Sequence, residues 1–314
     1  MKKIGKILAT LAMVMFSATL SAQDIAAATE QFNAGVTALN AKNYTLAIES
    51  FSKALKMADG LGEEGASIVK DSKDLLPKLY MYYGQDLAAA GKIDDAIVQL
   101  NKAVEVAKGY GNAEVEKEAM ALIPKVLFAD AGKYFNDAMY PEAIEAYKKV
   151  LALEPGNISA ILALGMSELK LNNEAGAVAA FTKAMELGDK ENAPAQLATI
   201  YLKKATTAYS TKNWAAVLES AKKANEIKES ATAFKLSGIA ATNLKKYDEV
   251  IASLNAYLAA EPTAKDKDNM YYYIAAAYEA KANTAKACEF YKKILANPTF
   301  KAAAEYKVNQ FKCK

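Results

Sequence analysis

Tyr140-Pro-Glu-Ala-Ile-Glu-Ala-Tyr-Lys-Lys-Val-Leu-Ala-Leu-Glu-Pro-Gly156 is the stretch that decides the fold. Pro141 suits the first turn of a helix, where its missing N–H is not needed. Ala143, Ile144, Tyr147, Val150 and Leu151 recur at three- and four-residue spacing and so share one face. Pro155, Gly156 and Asn157 then end the helix.

Working outward, the same pattern returns along the chain. Small residues stand at Gly35, Gly84, Ala131, Gly165, Ala205, Gly238 and Ala275. Twelve residues after each comes Ala47, Ala96, Ala143, Ala177, Val217, Val250 or Ala287. Four further on stands Phe51, Leu100, Tyr147, Phe181, Ala221, Leu254 or Tyr291, and three beyond that Ala54, Ala103, Val150, Ala184, Ala224, Tyr257 or Ile294. Twelve residues is the path from mid-helix, through a short turn, to the matching level of an antiparallel helix. Small side chains at both points let the two axes approach, and the bulky member fills the space beside them.

On these residues the chain resembles the tetratricopeptide-repeat family, stacked helix-turn-helix units of about 34 residues. The resemblance implies an all-α, right-handed solenoid of antiparallel helix pairs over residues 23–314. Repeats are expected near 28–61, 77–110, 124–157, 158–191, 198–230, 231–264 and 268–298. A capping helix is expected over 300–312, where Ala304, Val308 and Phe311 form one stripe. Two intervals between units are long, and each insertion carries the same motif, Leu75-Leu-Pro-Lys-Leu79 and Leu122-Ile-Pro-Lys-Val126. Either one helix continues through each proline, kinked or interrupted there, or each proline starts a new helix after a short extra one.

Composition narrows the chemistry. The chain has 314 residues, 53% of them hydrophobic, enough for a substantial core. It contains no His, and all 39 basic residues are Lys. Triads built on His and His-containing zinc sites are therefore absent, as is bidentate Arg recognition of phosphate or guanine. The expectation is a protein without catalytic residues, cofactor or bound metal, and without a nucleic-acid partner. Carboxylate pairs such as Asp94/Asp95 read as helix-start residues that complement the dipole.

Residues 1–22 read as a secretory signal: Lys2, Lys3 and Lys6, then the apolar run Ile7–Phe16, then small residues. The alternative is a retained anchor. Cleavage before Gln23 would leave 36 Lys against 36 Asp and Glu, so no polyanionic partner is implied. The mature protein would be exported, periplasmic or extracellular, with no membrane span. In such a compartment Cys288 and Cys313, brought level by two antiparallel helices, would form a disulfide that pins the cap; the alternative leaves both thiols free.

By the resemblance, the first helix of each pair lines a concave groove. Its candidate residues are Phe32, Val36, Leu39, Met81, Gln85, Phe128, Phe135, Leu162, Met166 and Leu169. Met and aromatic side chains on such a wall suit an amphipathic helix or an extended peptide from a protein of the cell envelope. Binding of an envelope oligosaccharide or peptidoglycan fragment is the rival reading, and self-association through an uncovered end is a further one. The tyrosine runs Tyr80/Tyr82/Tyr83 and Tyr271–Tyr273 do not favour the carbohydrate reading, because consecutive helical residues point about 100° apart.

Overall fold

The structure, a computed structural model, describes residues 20–314, so the expected leader lies outside the described residues except for its last three positions. All regular structure among the described residues is helical: fifteen α-helices in chain order. They fall into two compact units, divided after Pro155.

The first unit holds three pairs. These are α1 (Leu20–Asn40) with α2 (Tyr44–Asp59), α3 (Ala66–Ala89) with α4 (Ile93–Tyr110), and α5 (Ala113–Asn136) with α6 (Tyr140–Leu153). The second unit holds four pairs and a closing helix. These are α7 (Ile158–Lys170) with α8 (Glu174–Glu186), α9 (Asn192–Ser210) with α10 (Trp214–Ile227), α11 (Ala231–Asn243) with α12 (Tyr247–Ala260), α13 (Lys267–Ala280) with α14 (Thr284–Lys293), and α15 (Lys301–Gln310).

Each pair is joined by the same turn, and its backbone repeats seven times. The residue before the N-cap of each second helix is left-handed: Lys42, Gly91, Ala138, Asn172, Lys212, Lys245 and Ala282 all have φ between 56° and 79°. In the first turn, the Lys42 N–H donates to the Leu39 carbonyl (2.9 Å) and the Asn43 N–H to the Ala38 carbonyl (2.8 Å). Those bonds satisfy carbonyls that a helix end otherwise leaves without donors. Asn follows at 43, 173, 213 and 283, and its side chain accepts from the backbone N–H three residues on.

The small residues sit where the helices of a pair meet. A Cβ on Gly84 would stand 2.8 Å from Leu100 Cγ and 3.0 Å from the Ala96 carbonyl oxygen. One on Gly165 would stand 2.8 Å from Phe181 Cε1, and one on Gly238 would overlap the Leu254 side chain. Phe51, Leu100, Phe181 and Leu254 are fully buried, so the bulky members of the pattern fill the pair interiors.

Both inserted segments continue as single helices. Helix α3 runs 24 residues with Pro77 inside, and α5 runs 24 residues with Pro124 inside; both prolines are buried. No separate short helix precedes either one. The extra N-terminal turns pack back on the preceding pair: Leu75, Leu76 and Leu79 join Phe32, Leu39 and Phe51 in one cluster. Burial of these leucines offsets the missing proline N–H, which costs an isolated helix about 3 kcal/mol. Val115 and Ala119 of α5 join Met81 and Leu100 in the same manner.

Candidate functional site

The first helices carry the ten residues expected to line a groove. Phe32, Leu39 and Met81 are buried in the core, at 5%, 9% and 2% exposure. Gly35 explains the first of these, because it lets the Phe51 ring into the seam, where Phe32 meets it edge-on at 5.0 Å. Val36, Gln85, Phe128, Phe135, Leu162, Met166 and Leu169 are half-buried. Phe128 leans on Tyr147 and Phe135 on Tyr140, each with ring centroids 5.6 Å apart. Each of these seven therefore uses one flank for packing and keeps the other exposed. The residues from Phe32 to Phe135 lie in the first unit, and Leu162, Met166 and Leu169 in the second.

A different surface is a groove among α4, α5 and α6, which periodicity within single helices does not reveal. One outward stripe of α5, from Met120 through Ile123 and Leu127 to Tyr134, forms its floor. Helices α4 and α6, which run opposite to α5, form its walls. The end near Met120 is mainly apolar, with Asn101 and Glu154 also on its lining, and encloses about 820 Å³, with Ile97 and Val98 on one wall and Ala152 and Leu153 on the other. Among the described residues, Val98 (61% exposed), Met120 (55%) and Leu153 (54%) are three of the four most exposed large hydrophobic side chains. The end near Tyr134 encloses about 520 Å³ and is lined by Asp94, Asp130, Glu142 and Glu145. Asp94, Leu127 and Lys149 line both ends, so the groove is continuous.

The C-terminal end of the second unit is tied down. Cys288 and Cys313 form a disulfide with Cα atoms 5.6 Å apart. The Tyr291 hydroxyl donates to Glu279 Oε2 at 2.8 Å, and Lys307 of α15 holds the other oxygen of the same carboxylate. Burial, followed by the Glu279 carboxylate, pushes the Tyr291 hydroxyl well above the ordinary tyrosine range. Tyr272 stacks on Phe300 at 5.1 Å and Tyr271 packs beside Phe290, so this tyrosine run works as internal packing. In the other run, Tyr83 stacks on Tyr44 at 5.6 Å. Among the described residues no group of three or more metal-ligating side chains converges, and no helix is long and apolar enough to cross a membrane.

Residues 31–60 and 270–299 each match the tetratricopeptide-repeat family. No curated protein matches the chain. The TPR2AB domain–pHSP90 complex of yeast Sti1 is similar at 18% identity and TM-score 0.33, covering 90% of this chain and 96% of that one. A tetratricopeptide repeat protein from Parabacteroides merdae is similar at 16% identity and TM-score 0.28, covering 91% and 99%. The C-terminal part of a TPR repeat-containing protein from Cytophaga hutchinsonii is similar at 18% identity and TM-score 0.34, covering 76% and 98%.

The two matched segments fall on the first and last of the seven helix pairs, and the five pairs between repeat the same turn. The chain carries tetratricopeptide repeats. Domains of this kind generally mediate protein–protein interactions, and the scaffold is typically non-catalytic.

Proposed function

We propose that the protein is an exported, non-catalytic scaffold that holds a peptide or helix of a cell-envelope protein along its first helices. The observation that carries the reading is the set of half-buried Val36, Phe128, Phe135, Leu162 and Met166, which keep apolar flanks exposed on those helices. Such flanks suit a partner that brings its own apolar anchors, because burial returns about 25 cal/mol per Å² of apolar surface. Export is supported by the basic start and apolar run of residues 1–16. The Cys288–Cys313 bond agrees with an oxidising compartment.

Photo-crosslinking from positions 36 and 166 in intact cells, with mass-spectrometric identification, tests the binding half. Each position should capture an envelope protein, and the capture should be lost on the substitution made there, Val36→Asp or Met166→Asp. Capture that is unaffected by both substitutions would refute this surface. Sequencing the N-terminus of the mature protein tests the export half: a start at Gln23 is expected, and an intact Met1 would contradict it.

A further inference from the structure

The groove along α5 has two ends of different chemistry. Its apolar end exposes Val98, Met120 and Leu153 to water, although burying a side chain of this size typically returns about 1.5–3 kcal/mol. Its other end gathers Asp94, Asp130, Glu142 and Glu145 around the single cation Lys149. Glu145 is paired with Lys148 at 2.8 Å, whereas Asp94, Asp130 and Glu142 have no ion pair among the described residues. At Met120, on the floor, Pro124 supplies no N–H, which leaves a backbone carbonyl without its helical donor.

We propose that this groove is a second docking site, for a segment of a partner protein that is aliphatic at one end and carries lysine or arginine at the other. Charge complementarity selects this occupant. A cationic side chain would meet three unpaired carboxylates, whereas the phosphates of an anionic membrane would be repelled by them. The floor from Met120 to Tyr134 is about 21 Å long, the length of about 14 helical residues. The occupant's aliphatic end lies at Met120, between Val98 and Leu153, and its cationic end lies at Tyr134, between Asp94 and Glu142. On α5 the groove stripe is turned about 100° from Phe128 and Phe135, so the site uses another face of that helix than the first-helix surface.

The test uses the full chain and two fluorescent helical peptides of about 14 residues. Both carry the same leucine stripe; one ends in lysines and the other in glutamates. The lysine peptide should bind at least about tenfold more tightly, and the preference should shrink as salt rises. Asp130→Lys with Glu142→Lys should abolish the preference. Val98→Asp with Leu153→Asp should weaken both peptides, while circular dichroism shows an unchanged fold. Val36→Asp, on the first-helix surface, should leave both affinities unchanged, which separates this site from the other. Equal binding of the two peptides, or binding of neither, would overturn the proposal. So would a dimer in sedimentation that Leu153→Asp dissociates, since the groove would then belong to a second copy of the chain. Val98-dependent binding to phosphatidylglycerol vesicles would overturn it in favour of a membrane.

Discussion

The two units use one pair seam and differ in what surrounds it. In the first, α3 and α5 run 24 residues each, through Pro77 and Pro124, and overhang their partners. In the second, the first helices α7, α9, α11 and α13 run 13, 19, 13 and 14 residues. The stripe of α5 from Met120 to Tyr134 leaves an apolar and acidic groove open between α4 and α6. The second unit spends its polar groups on closure instead: Lys235 with Asp266 at 2.5 Å, Tyr257 with Asp266 at 2.8 Å, and a disulfide beyond the last pair. Seam geometry is therefore shared, while the first unit leaves a groove open along α5 and the second ties its last pair to a closing helix.

That contrast is broken most strongly at the disulfide. Its cysteines are 25 residues apart, so removing it by Cys288→Ala with Cys313→Ala should cost about 3 kcal/mol by the loop-entropy estimate. Hydrogen exchange should report the loss in α14 and α15 and leave α1–α6 unchanged. Equal loosening of residues 20–155 would show that the two units do not differ in this way.

The next effect should be the same in both units. Ala138 and Ala282 are left-handed, with φ of 60° and 59°, where a Cβ costs about 1–2 kcal/mol. Ala138→Gly in the first unit and Ala282→Gly in the second should each raise stability by about 1 kcal/mol in urea titrations. A gain in one and a loss in the other would mean that the turn is not one repeated structure.

A smaller effect sharpens the contrast by pH. Burial pushes the Asp266 carboxyl up, but Lys235 and the Tyr257 hydroxyl outweigh it and hold the group below the usual carboxylate range. A depressed folded value gives stability that is present above the ordinary value, about 3.9, and lost as pH falls through the folded one. Tyr257, buried and hydrogen-bonded to Asp266, is pushed up to about 12. Its contribution is present below about pH 10 and lost as pH rises toward the folded value. Asp266→Asn should flatten the acid limb of the second unit's stability, and Tyr257→Phe the alkaline limb, each by under about 1 kcal/mol. Unchanged limbs in both variants would remove the network from the account.

The seam was legible in the sequence because a turn of constant length fixes the separation of residues that face each other. Gly84, Gly165 and Gly238 could be matched with Leu100, Phe181 and Leu254 by counting alone. The continuation of α3 and α5 through their prolines was not decided there, since local propensity opposes it and only packing of Leu75, Leu76 and Leu79 favours it. The left-handed turn showed its usual glycine only at Gly91, while Lys, Ala and Asn adopt the same conformation elsewhere under tertiary constraint. Burial of Phe32, Leu39 and Met81 depends on how far each first helix is rotated toward its partner, which periodicity leaves open. The α5 groove needs three helices at once, so no single stretch carried it.

The central claim is that a minimal side chain on one helix makes room for a bulky one on its partner. A double-mutant cycle on Gly238 and Leu254 tests it by chemical denaturation. Gly238→Ala should gain little or lose stability in the native background, because the new methyl overlaps Leu254 and cancels the gain of about 1 kcal/mol expected from helix propensity. In the Leu254→Ala background the same change should stabilise by about 1 kcal/mol, giving a coupling well above the additivity limit of about 0.5 kcal/mol. Additive effects within that limit would contradict the claim.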